Sequence, residues 1–189
     1  MTPDIKATDA TVGLDLTRLY NNVGSTLPGV RESLGFDGYG RTYPAEELTA
    51  LAPLLGAPVP RWGEGGPDNV ACDAQVVDLP STLILDGWSI IGACDGGSAQ
   101  DAFTVRAEDG GATTVRVGLT DIFAHRAAFT DECALVCSRL REDGLDVSSI
   151  RPRLWRARQH FAEPVRCSRI VFPMNPVMHV FAVQLEVRV

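Results

Sequence analysis

Histidine titrates nearest neutrality of all side chains, and this chain has three: His125, His160 and His179. They lie far apart in sequence and form no His-Glu-x-x-His helix, so no zinc-hydrolase motif is written here. His125, near Asp121 and Arg126, is the leading candidate for a general acid or base. Glu46 and Asp68 are the carboxylates expected to move protons with it. His179 heads one face of an alternating C-terminal run and reads as a packed residue.

A second constellation is acidic and aromatic: Asp37, Tyr39, Tyr43, Asp68, Asn69 and Asp73, with Glu46 beside it. Such groups on loops could hydrogen-bond a small ligand or bind Ca²⁺, which takes about six to eight oxygens. Asp37-Gly38 and Asp68-Asn69 equally suit turns in which the side chain bonds its own backbone, and both readings stay open. Trp62, in a Pro/Gly-rich stretch, is the tryptophan placed to touch a ligand, whereas Trp88 sits in an apolar run and belongs to the core. The basic run Arg151, Arg153, Arg156, Arg158 and His160 is the third group. If it is extended, Arg156, Arg158 and His160 share one face and could clamp a carboxylate or phosphate. A solvated strand pairing its arginines with Asp and Glu is the alternative.

The five cysteines, Cys72, Cys94, Cys133, Cys137 and Cys167, form no pair of zinc knuckles and read as small apolar core residues. Gly38-Tyr39-Gly40 lies in no βαβ pattern, and no Gly-x-Ser-x-Gly elbow occurs.

Composition narrows the classes further. Over 189 residues, 17 basic against 24 acidic side chains give a net charge of −7, which repels phosphate backbones and argues against nucleic acid. No apolar run approaches the roughly 20 residues that cross a bilayer, so no membrane partner is expected. Lys6 is the only lysine, which excludes Schiff-base and pyridoxal chemistry and a P-loop. The polar N-terminus lacks the basic start and apolar stretch of an export signal, and the cysteines are odd in number; a cytoplasmic protein is expected.

The elements that must hold these residues are mostly strands. Residues 179–189 alternate with period two, and residues 83–93, 152–161 and 167–172 have strand length and composition. Runs around Phe103–Val105 and Val115–Leu119 flank Asp109-Gly110, a hairpin signal. Pro44 opens a short helix through Leu51. Thr130 caps a second, with Cys133, Val136, Cys137 and Leu140 as its stripe and Gly144 as its stop, giving a helical insertion at 125–144. Residues 1–11 read as a polar leader and 12–189 as one mainly β domain.

The run Phe36-Asp37-Gly38-Tyr39-Gly40-Arg41-Thr42-Tyr43-Pro44-Ala45-Glu46-Glu47-Leu48 resembles a signature of galactose-binding-like β-sandwich domains, jelly rolls often appended to bacterial glycoside-active enzymes. Leu19-Tyr20-Asn21-Asn22, Gly66-Pro67-Asp68-Asn69-Val70 and Pro173-Met174-Asn175-Pro176 agree with it in order. The resemblance implies an all-β jelly roll with one or two short helices, and most directly a carbohydrate-binding module with Ca²⁺ in a loop. The sequence departs from the pattern at Ile122-Phe123-Ala124-His125, where a tryptophan is usual. With no export signal and no attached catalytic domain, the expectation is a cofactor-independent biosynthetic enzyme on this scaffold. It would bind a small molecule and catalyse an acid–base cyclisation or condensation of Pictet–Spengler type. A homo-oligomer is compatible with the sequence.

Overall fold

The computed structural model describes residues 9–55 and 61–188. The strands are β1 (Asp9–Gly13), β2 (Ser25–Thr26), β3 (Arg41–Pro44), β4 (Val70–Asp73), β5 (Val76–Cys94) and β6 (Ala99–Arg106). There follow β7 (Ala112–Leu119), β8 (Glu132–Val136), β9 (Leu140–Glu142), β10 (Leu145–Val147), β11 (Arg153–Val171) and β12 (Met174–Arg188). They form an eight-stranded sheet, ordered β1-β12-β5-β11-β6-β7 with β4 on β12 and β8 on β11, and a four-stranded sheet β10-β9-β3-β2. The protein is an all-β sandwich.

The large sheet curls on itself. β7 and β12 are far apart in strand order, yet Val115 and Val117 share one apolar cluster with Val183 and Leu185, around Trp88 and Phe103. Both β5 and β11 run for 19 residues, and register shifts after His160 and Cys167 let β11 bend round this core. The small sheet covers the outer face through a second cluster, in which Phe36, Tyr43 and Trp62 meet Ile91, Leu154 and Phe181.

One bulge decides what faces what. Val180 pairs with Gly92 but Ala182 with Ile91, leaving Phe181 as an extra residue. His179, Phe181 and Ala182 therefore face the second cluster's side, while Val183, Leu185 and Val187 fall into the first. The simple alternation of residues 179–189 predicts one continuous face and misses this switch, because an inserted residue reverses every side chain after it. Val189 lies outside the described residues.

The helix after Pro44 is present as α1 (Ala45–Leu48), a 3₁₀ turn (Thr49–Leu51) and α2 (Ala52–Leu55). Its N-cap, Pro44, makes no side-chain cap bond. So short a segment is marginal alone; Leu48, Leu51 and Leu55, each essentially unexposed, hold it at roughly 2 kcal/mol apiece.

The expected helix at 125–144 is absent. Glu132–Val136 pairs with β11 as β8, and β9–β10 form a hairpin closed by Leu145 opposite Glu142. Asp143 (φ 51°) and Gly144 (φ 79°) are its two-residue turn, so Gly144 starts a return strand and stops no helix. Asp131, just after Thr130, accepts from the Thr120 backbone and hydroxyl and so ties this segment to the end of β7. Sheet pairing outweighs a weak helical stripe. The leader boundary also moves: β1 begins at Asp9 and pairs with β12, while residues 1–8, with Lys6, lie outside the described residues. Among the described residues no helix is long and apolar enough to cross a membrane.

Candidate functional site

At one end of the sandwich, loops converge on two joined clefts of about 460 and 350 Å³, and Arg41 and Phe123 line both. Each wall is set by local bonding. The turn before β3 closes through Phe36 N–H to Arg41 C=O (2.7 Å), with Asp37 Oδ1 accepting the Tyr39 N–H (2.9 Å). Asp95 follows β5 directly, its N–H bonded to Val177 C=O (3.0 Å). Asp121 ties two loops together, accepting the Gly97 N–H (2.8 Å) and the Phe123 N–H (2.7 Å).

The groove joins aromatic and charged groups. Tyr39 is 77% exposed. The Arg41 guanidinium lies 5.5 Å from its ring centroid and 5.0 Å from that of Phe123, within cation–π range. Arg41 also pairs with buried Asp37. Asp95 is half-buried beside them, and its Oδ1 has no hydrogen-bond partner among the described residues. Burial, with Asp37 and Asp121 nearby and Arg41 opposing, raises its pKa above the usual carboxylate value.

Beneath the groove runs a buried polar chain. Asp68 accepts from Gly24 N–H (2.8 Å), from the Ser25 hydroxyl and from Asn69 Nδ2 (3.1 Å). Asn69 Oδ1 meets His179 Nδ1 at 2.9 Å, and His179 Nε2 lies 3.9 Å from Asp95 Oδ1. Phe36 covers the imidazole at 4.1 Å between centroids. Gly24 is required for this approach, because a Cβ there would stand 2.5 Å from Asn69 Nδ2. Burial raises the Asp68 pKa and lowers that of His179 to about 4.

Of the residues expected from sequence, Asp37, Tyr39 and His125 line the groove. His125 is exposed, its Nδ1 3.2 Å from Arg153 Nη2. Asp68 and Asn69 lie beneath the groove, closed off by their own bonds, and are corrected from ligand-facing to supporting residues. Tyr43 is likewise corrected: wholly buried, it donates its hydroxyl to Arg153 C=O (2.8 Å). Trp62 is corrected too: only 8% exposed, it packs into the second apolar cluster. Asp73, exposed at the end of β4, is not part of the groove.

Glu46 is withdrawn as a proton carrier. It bridges Arg141 (Nη1–Oε2 2.8 Å, Nη2–Oε1 2.5 Å) and Arg139, and the Arg141 bonds foremost hold its pKa down at about 2. His125, Glu46 and Asp68 have no bond in common. Arg156, Arg158 and His160 do share one face of β11, as the extended reading requires. Arg158 pairs with Glu132 (3.1 Å) and His160 with Glu186 (3.1 Å), while Arg156 donates to Ser89 and Gln184. Four of the five cysteines are buried, Cys133 being exposed. Among the described residues no three His, Cys, Asp or Glu side chains are grouped to hold a metal.

Sequence reading missed Asp95, Arg41, Phe123 and the part played by His179. The signal available was Asp95-Gly96-Gly97-Ser98, a loop sequence directly after an apolar strand. A wider hollow of about 800 Å³ lies between β7 and β11, but its charged lining residues are all exposed. The loop-end groove is the stronger site, because it alone sets a partly desolvated carboxylate against a buried histidine. Fold and site define a β-sandwich with a groove at its loop end. No protein-family model matches the chain, and no significant match is found among curated proteins.

Proposed function

We propose that this protein binds a small molecule in the loop-end groove and catalyses proton transfer on it, with Asp95 as the acid–base group. The observation that carries the reading is Asp95: a half-buried carboxyl with raised pKa that lines a ligand-sized cleft, its unpartnered Oδ1 buried behind it toward His179. Tyr39 and Phe123 supply flat apolar faces, and Arg41 a fixed positive charge between them. The reaction class is a cyclisation or condensation that proton transfer alone drives. Asp95 gives a proton to one atom of the substrate and takes one back from another, so the site ends as it began. The galactose-binding-like jelly roll is the scaffold this reading assumes, and a cytoplasmic setting agrees with five unpaired cysteines.

A second reading has its own observation. An exposed tyrosine beside buried carboxylates is also a platform for a sugar, with its ring stacked and its hydroxyls bonded to Asp37 and Asp95. That is a carbohydrate-binding module without turnover. Thermal-shift screens against glycans with and without Ca²⁺, and against heteroaromatic amines with carbonyl partners, separate the two. Any hit is then assayed for turnover. The enzyme reading expects Asp95→Asn to retain binding and lose turnover by about a hundredfold or more. A sugar-dependent shift that Tyr39→Ala removes, with no turnover of any hit, establishes the module instead.

A further inference from the structure

We infer that Asp95 and His179 act as one acid–base pair, Asp95 on the groove wall and His179 behind it with Nε2 turned to Asp95 Oδ1, and that Asn69 fixes the histidine tautomer. The inference rests on the function proposed above and adds to it the second member of the pair and its orienting group.

The tautomer follows from bonding alone. Asn69 Nδ2 lies 3.1 Å from the Asn22 backbone carbonyl and 3.1 Å from the Asp68 carboxylate, both acceptors only. That nitrogen is therefore the NH₂ group, and Asn69 Oδ1 is the acceptor at 2.9 Å from His179 Nδ1. Nδ1 carries the hydrogen. In the neutral ring Nε2 is then a bare lone pair, and it faces Asp95 Oδ1 at 3.9 Å. Two acceptors cannot face each other in a partly desolvated site without a proton or a donor between them. Burial keeps the imidazole neutral, and Asp37, Asp121 and burial favour a protonated Asp95 against the pull of Arg41. Both shifts favour placing a proton held by the pair on Asp95 rather than on His179. Such contacts tighten from a long resting distance when substrate fills the site.

These groups come from several elements. His179 stands on β12; Asn69 and Asp68 precede β4; Phe36, Asp37 and Arg41 belong to the turn before and start of β3; Asp95 follows β5 and Asp121 follows β7. Asp68 keeps the chain polarised toward the groove: its carboxylate anchors the Asn69 NH₂, which leaves only the amide oxygen for His179. In a proton-transfer cycle Asp95 gives its proton to the substrate, is left as a carboxylate, and is reprotonated by the proton the substrate later loses. While Asp95 holds the proton, His179 Nε2 can accept its hydrogen bond, and the imidazole itself never needs to ionise.

The test is imidazole ¹⁵N NMR on the ¹⁵N-labelled full chain, with His125→Gln and His160→Gln, both exposed positions, used to assign the His179 signals. The expected result is a neutral, Nδ1-protonated His179 at pH 6 to 8, whose Nε2 signal shifts as Asp95 titrates. In Asp95→Asn that shift disappears while the tautomer stays; in Asp95→Glu a titration returns. An Nε2-protonated ring, an imidazolium at neutral pH, or an Nε2 signal unmoved by both variants overturns the pair. The readout needs no substrate, so its failure is separate from that of the proposed function, which falls if Asp95→Asn turns over a ligand as fast as the wild type.

Discussion

Two clusters of charge sit near the small sheet, and they are built in opposite ways. Arg141 has no exposed side-chain surface, yet four of its five donors are met: Glu46 takes two, Asp146 one at 3.0 Å and the Thr26 carbonyl another. At the groove, Asp95 Oδ1 and His179 Nε2 face each other with no donor settled between them. The first arrangement stabilises the fold by pairing a buried cation with two carboxylates and a backbone carbonyl. The second stores an unmet demand that a proton or a ligand can fill. A buried polar group without its partner costs about 1–3 kcal/mol, so the protein tolerates at the groove what it avoids at Arg141.

Breaking each cluster should separate the two roles. Arg141→Ala is expected to cost the most, about 4 kcal/mol by urea denaturation, since it leaves the Glu46 carboxylate without its principal partner and takes a donor from the Thr26 carbonyl. A loss under about 1 kcal/mol would show that the cluster is no more than surface pairing.

His179 gives the next effect. Its folded pKa is about 4 against 6.5 for the free side chain, so the unfolded chain binds the extra proton as pH falls. Its contribution is complete above pH 6.5 and is lost on acidification toward pH 4, by about 3 kcal/mol. Asp68 and Asp95, whose carboxyls are shifted upward, act in the opposite sense, gaining on acidification. The measurement is therefore the difference in pH slope between wild type and His179→Gln, and equal slopes would remove histidine from the account.

Asp95→Asn should change stability by less than about 1 kcal/mol, with any gain appearing at high pH, where the ionised carboxylate is least favoured. A destabilisation as large as that of Arg141→Ala would erase the contrast between the clusters. Tyr39→Ala is the smallest, within about 0.5 kcal/mol by thermal melt, because its ring is exposed; its effect belongs to ligand binding.

Much of the frame was legible in the chain. The Asp109-Gly110 hairpin, the apolar runs of β5 and β11 and the helix after Pro44 follow from local rules, because turns, alternation and caps are set by neighbouring residues. The 125–144 segment was misread where two local signals competed. A four-residue stripe of Cys133, Val136, Cys137 and Leu140 suggested a helix, while Asp143-Gly144 marked a hairpin just as Asp109-Gly110 did. The site was legible only in parts. Tyr39 and Asp37 were found because exposed aromatics and turn carboxylates announce themselves, whereas Tyr43, four residues further on, goes wholly into the core.

By itself the sequence determined the class: an acidic, β-rich chain with a single lysine, whose proton chemistry falls to Asp, Glu and His. Only the tertiary structure decided which of them meet. His179 lies 84 residues from Asp95 and 110 from Asn69, and its orientation turns on one extra residue at Phe181. Long-range pairing and bulges are settled by the packing of whole sheets, which no local pattern encodes.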